Sequence, residues 1–128
     1  FNTLIFNGIP DLFPKLRFAF VESGAQWVPY AVHDLARRIE RQRGNPKGKL
    51  KKNFLTDNRF FVTCQTDDDL AYILQYSGDD SLVIGTDYGH SDVSAEIDAL
   101  KTLRQLPGVS AIVADKILGR NAKRHYGL

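Results

Sequence analysis

Three short apolar runs alternate with longer segments of helical periodicity along this chain. Leu16-Arg-Phe-Ala-Phe-Val21 is rich in aromatic and β-branched residues and predicts a strand. Arg59-Phe-Phe-Val-Thr-Cys64 predicts a second, and residues 82–86, opening on Leu82-Val-Ile84, a third. The last run is bounded by Gly78-Asp-Asp-Ser81 and by Gly85, the pattern of a strand buried on both faces. Between and around these runs the pattern changes to that of helices. Val28, Val32, Leu35 and Ile39 form one apolar stripe, which predicts a helix over 26–42 with Asp34, Arg38 and Arg41 on other faces. Thr66 is the expected N-cap of the next helix, with Asp67, Asp68 and Asp69 in its positive first turn and Gly78 after its end.

Further helices are expected near 95–106 and 111–118. The first is capped by Ser91 or Ser94, carries Ile97, Leu100, Leu103 and Leu106, and is stopped by Pro107-Gly108. Ser110 caps the second, and residues 121–128 add a further helical turn. At the start, Leu4, Ile5, Ile9 and Leu12 have helical spacing, but Gly8 and Pro10 imply a short or broken helix, and Pro14-Lys15 a turn. No internal repeat or low-complexity segment is present.

Strands alternating with helices imply parallel βαβ units with right-handed crossovers. All three strands then end on one side, where parallel α/β folds place their chemistry. Asp87 and His90 follow the third strand, Glu22 the first and Gln65 the second. Two carboxylates and an imidazole suit a divalent metal or acid–base work. Each also has a structural reading: Asp87 as a turn former or helix cap, Glu22 as a helix-start carboxylate. His33, on the helical stripe's flank, reads as a surface or packing residue. Three parallel strands with both edges open make an incomplete sheet.

Composition adds limits. At 128 residues, with 43% hydrophobic and 25% charged residues, the chain has the make-up of one soluble globular domain. No apolar run approaches membrane-spanning length. The lone Cys64 excludes an internal disulfide framework and fits a reducing, cytoplasmic setting. No methionine occurs, so a processed chain or a fragment is expected. Residues 37–52 carry eight Arg and Lys against Glu40 alone, a local +7 in a chain of net +2, leaving −5 elsewhere. Arg43-Gly-Asn-Pro-Lys-Gly-Lys49 within this run reads as a loop. The run contains no aromatic residue on which a base could stack, so it reads as a solvated face rather than a nucleic-acid site.

Four blocks together carry a resemblance. Residues 13–30 (FPKLRFAFVESGAQWVPY), Phe61-Val-Thr63, Ile84-Gly-Thr-Asp-Tyr-Gly-His90 and residues 116–128 (KILGRNAKRHYGL) are similar, in order, to the amidohydrolase-related family, which includes aminocarboxymuconate-semialdehyde decarboxylases. The resemblance implies a (β/α)8 barrel, of which residues 1–128 form a single partial domain, about strands six to eight. It implies a divalent metal, often zinc, held by a His-x-His pair on the first strand, a His on the fifth and an Asp on the eighth. Asp87 matches that Asp, as metal ligand or general base. His90 matches a His that commonly follows Asp-Tyr-Pro, although Gly89 replaces the Pro. Glu22 stands where the decarboxylases carry a His, within a Glu-x-Gly-x-x-Trp element formed with Gly24 and Trp27. No His-x-His occurs in the chain. The resemblance therefore implies a metal-dependent hydrolase of a small molecule, in which the cation activates water, with Asp87, Glu22 and His90 catalytic. Non-oxidative decarboxylation is the alternative, and a non-catalytic half-barrel that binds or assembles is another. Implied partners are the N-terminal part of the barrel and further copies in a homo-oligomer.

Overall fold

β2 (Phe60–Cys64) is the centre of the structure. Phe60, Phe61, Val62 and Cys64 are all buried, which makes the segment apolar on both faces. Burial of each large side chain contributes about 1.5–3 kcal/mol. The computed structural model describes residues 1–41, 51–91 and 95–128. β1 (Phe18–Phe20) pairs with one edge of β2 and β3 (Leu82–Ile84) with the other, both parallel. Phe18 lies opposite Phe60, and Val62 opposite Leu82.

α1 (Asn2–Phe6) and α2 (Ile9–Leu12) precede β1. Their separation follows from Gly8, which takes a left-handed φ of 64° and leaves Pro10 in the first turn of α2. α3 (Trp27–Arg41) and the single turn α4 (Phe54–Asp57) connect β1 to β2, and α5 (Leu70–Ser77) connects β2 to β3. Val28 and Leu35 of α3 and Leu70 and Ile73 of α5 are buried against the sheet. Phe1 fills the centre of an aromatic cluster, 4.9 Å from Trp27 and 5.3 Å from both Phe20 and Phe60 between ring centroids. Such edge and tilted pairs each add about 0.5–1.5 kcal/mol beyond area burial.

α6 (Ala99–Gln105) begins four residues later than the expected 95, so Ile97 lies outside it and is 82% exposed. Of the expected stripe on this helix, Leu103 is buried and Leu100 exposed. Ser91 does not cap it, since the capping position is Asp98; Ser94 lies outside the described residues. The expected loop over 43–49 and the middle of the basic run also lie outside them.

Ser110 does cap α7 (Ala111–Asp115), accepting from the Val113 amide at 3.3 Å. The helix continues through a π turn (Lys116–Arg120) into α8 (Asn121–Tyr126), which ends on left-handed Gly127. Buried Asn121 donates to the carbonyls of Asp79 at 2.9 Å and Leu82 at 2.8 Å, anchoring this last helix to the start of β3.

One expectation about polar residues is corrected and one is refined. Asp34 was expected on a face of α3 other than its apolar stripe. It is buried, and its carboxylate takes Arg37 at 2.7 Å and Arg38 at 2.5 Å. The two guanidiniums hold its carboxyl below the usual carboxylate range. The helix after β2 starts at Leu70 rather than at Asp67. Its N-cap is Asp69, which accepts from the Tyr72 amide at 3.1 Å, while the Thr66 hydroxyl donates to Glu96 at 3.0 Å.

Candidate active site

The C-terminal ends of the three strands open on one cleft of about 410 Å³. Glu22, Gly24, Thr63, Gln65, Asp87 and His90 line it. The structure thus brings together every residue that the strand order placed here. His33 is elsewhere, packed against Tyr76 with ring centroids 5.1 Å apart, in agreement with a surface packing role.

Glu22 follows β1 with φ 56°, and Asp87 follows β3 with φ 48°. Few residues other than Gly, Asn and Asp adopt left-handed backbone, and it persists only where the surroundings hold it. The loop backbone around each carboxylate is tied down by hydrogen bonds. Around Glu22 the Glu-x-Gly-x-x-Trp element has a physical explanation. Gly24 takes φ 56°, the Trp27 indole N–H donates to the Gly24 carbonyl at 2.9 Å, and the Ala25 amide donates to Asp68 Oδ2 at 3.0 Å. Asp68 Oδ2 also accepts from the Gln65 amide at 2.8 Å. One carboxylate oxygen therefore joins the loops that end β1 and β2.

Around Asp87, the His90 amide donates to the Asp87 carbonyl at 3.2 Å and closes a turn over Tyr88-Gly89. Gly89 has φ 98°, which proline cannot adopt. Gly89 therefore forms a turn that a proline at this position could not form. In this turn His90 Nδ1 lies 3.0 Å from Asp87 Oδ2, and the imidazole is more than half exposed to the cleft. A carboxylate on one ring nitrogen fixes the imidazole's orientation and leaves Nε2 as the second functional atom. The loop after β3 returns to the cleft rim, where the Glu96 amide donates to the Thr86 carbonyl at 2.9 Å.

Asp87 has the character of one ligand in a divalent-metal set, a hard oxygen donor at a strand end with an imidazole on its other side. Among the described residues no three His, Cys, Asp or Glu side chains converge as a complete metal site. The residues fit part of a metal centre and require further ligands. Cys64 contributes nothing to the cleft chemistry. Its burial, and then the charge of Asp68, push the thiol up to about 12.

Asp68 was missed as a site residue. The run of three aspartates suggested a helix start, and the signal that could have separated them is spacing, since Asp69 stands directly before the first apolar helical residue, Leu70.

Three parallel strands open their C-terminal ends, with two carboxylates, on one shared cleft. The amidohydrolase family model matches residues 1–128, and the chain belongs to that family. A crystal structure of an amidohydrolase from Mycobacterium avium subsp. paratuberculosis K-10 is similar, with TM-score 0.77 and 22% identity. The match covers 98% of this chain and 31% of that one. The 5-carboxyvanillate decarboxylase of Sphingomonas paucimobilis is similar with TM-score 0.67 and 22% identity, over 99% of this chain and 38% of that one. The chain thus spans about a third of the length of these structures. No curated protein sequence matches it. Among the described residues no helix is long and apolar enough to cross a membrane.

Proposed function

We propose that these residues supply the sixth to eighth strands of a (β/α)8 metal-dependent hydrolase acting on a small molecule. The observation that carries the reading is the pair of strand-end carboxylates, Glu22 and Asp87, both in left-handed backbone and both lining one cleft with His90. Asp87 is the metal ligand contributed by this part of the barrel, the other ligands coming from strands outside it. Asp87 would hold a divalent cation, zinc in this reading, which would supply polarisation of water and of a substrate carbonyl.

The protein's own groups do the rest. Asp87, with Oδ2 turned to His90, is placed to take a proton from an attacking water. His90 carries protons through Nε2, and Glu22, across the cleft, orients substrate or accepts a proton. The partners in this reading are a small-molecule substrate, the remaining barrel strands and further copies of the same protein, in a reducing cytoplasm.

Non-oxidative decarboxylation is the second reading, and one solved neighbour carries that activity in its name. Glu22 weighs against it, because a carboxylate cannot act as the imidazolium acid that a histidine there would provide. A non-catalytic role is the third; tight metal binding by the isolated chain would count against it.

The test is Asp87→Asn in the complete barrel, read by metal content and by turnover on ester, amide and carboxylated aromatic panels. The expected result is loss of bound metal and of turnover. Near-normal turnover with full metal content would overturn the role of Asp87, and carbon dioxide release without hydrolysis would favour the decarboxylase reading.

A further inference from the structure

At the opposite end of the strands, away from the cleft, a second set of polar residues converges. Arg17 precedes β1, Arg59 precedes β2 and Ser81 precedes β3. Because Phe18 pairs with Phe60, the parallel register brings Arg17 and Arg59 to neighbouring positions. With Thr56, Phe61 and Arg124 of α8, they line a hollow of about 180 Å³. Like charges on adjoining strands repel, yet Arg17 and Arg59 line this hollow side by side, with Arg124 of α8 as a third arginine in the lining.

Their charge is only partly balanced. Arg59 is held by neutral backbone, donating to the carbonyls of Leu16 at 2.9 Å and of Pro10. Arg17 makes a long contact, 3.5 Å to the His125 carbonyl. Among the described residues only Arg124 of the three meets a carboxylate, Asp80 at 3.6 Å. Asp80 is shared with Lys116 at 3.1 Å, and Lys116 also takes Asp79 at 3.0 Å. Arg17, Arg59, Arg124 and Lys116 against Asp79 and Asp80 leave two positive charges. Asp57, the nearest other carboxylate in sequence, is turned back to the Asn53 amide at 3.1 Å.

Two hydroxyls complete the lining. Thr56 Oγ1 and Ser81 Oγ lie 3.1 Å apart, and Ser81 is fully buried. Whichever of them donates to the other, the accepting hydroxyl keeps its own hydrogen for a further acceptor. Arg124 lies over the Phe61 ring, 5.3 Å from its centroid, which limits the motion of its planar fork.

The geometry points to a binding site for a small dianion of the phosphate type at the N-terminal end of the strands. Arg59 Nε and Nη2 are spent on backbone carbonyls and Arg124 Nη2 on the Asp80 carbonyl, so the remaining guanidinium N–H groups, those of Arg17 above all, would take the phosphate oxygens, and the residual charge of the pocket matches a dianion. None of the residues named here lines the cleft, so the site does not depend on the cleft chemistry.

The experiment is calorimetric titration of the full chain with inorganic phosphate, and separately with phenyl phosphate, in chloride-poor buffer of low ionic strength. Saturable one-site binding is expected, weakened about tenfold in Arg17→Gln and in Arg124→Gln. Arg41→Gln, on the separate arginine face of α3, should leave it unchanged. Tighter binding of the ester would support the site with a phosphorylated small molecule as its ligand; equal or weaker binding would support it with free phosphate. Absence of saturable binding for both, or unchanged affinity in both arginine variants with native circular dichroism, would overturn the proposal. A second measurement needs no substitution. Amide shifts in the intact chain should move at Thr56 and Ser81 on phosphate addition, and movement confined to residues 37–41 would also overturn it.

Discussion

Asp68 and Ala25, 43 residues apart, are joined by a 3.0 Å hydrogen bond from the Ala25 amide to the Asp68 carboxylate. The bond ties together two loops whose Gly24 and Gln65 line the candidate cleft. It couples the loop of Glu22 to that of Gln65, whose amide reaches the same oxygen at 2.8 Å. Removing this carboxylate leaves two amides without their acceptor, at about 1–3 kcal/mol each when they stay buried. Asp68→Ala should therefore lower the urea midpoint clearly. Asp68→Asn, which keeps one acceptor oxygen, should lower it less, and equal loss in the two variants would contradict the bridging role.

Glu22 offers a trade between stability and chemistry. Its φ of 56° is a conformation that glycine adopts without strain. Glu22→Gly should raise the thermal midpoint by an amount corresponding to about 1 kcal/mol or less. In the complete barrel it should abolish turnover. The gain should shrink in an Asp68→Ala background, where the loop is free to relax, and a double-mutant cycle measures that coupling.

Cys64 should be inert in the folded protein. Its thiol sits at about 12 against an ordinary value of 9.0 and is buried. A disulfide reagent at pH 8 should label it only at the rate of unfolding, and immediate stoichiometric labelling would contradict its burial. The linkage has a definite sign. Between 9.0 and about 12 the unfolded thiol loses its proton while the folded one keeps it, so stability falls as pH rises through that window.

Asp34 acts at the other end of the pH scale. Arg37 and Arg38 lower its carboxyl from the ordinary 3.8. Its contribution is present above that value and is lost as pH falls through the lower, folded one. Asp34→Asn should flatten the acid limb of a thermal-midpoint profile and leave the alkaline limb unchanged. An unaltered acid limb would show that the two arginines do not stabilise the charged form.

The three strands were legible because each is a short apolar run between turn residues, and their order alone places Glu22, Gln65, Asp87 and His90 on one side. What was not legible depends on distant partners. Asp68 lies in an acidic run that suits a helix start, and only the fold reveals that its acceptor role reaches back to Ala25. Phe1 belongs to no periodic pattern and still occupies the centre of the aromatic cluster. Periodicity reports which face an element turns inward, and is silent about side chains whose partners come from another element.

The π turn over Lys116–Arg120 sets the rotational phase of the chain's last helix. A π turn is equivalent to one extra residue in an α-helix, and each residue advances the helix by about 100°. Asn121 is aimed at the carbonyls of Asp79 and Leu82 because that extra residue has turned it there. Deleting a single residue such as Gly119 would restore regular winding yet swing α8 away from β3. This segment therefore tolerates substitution better than a change in length.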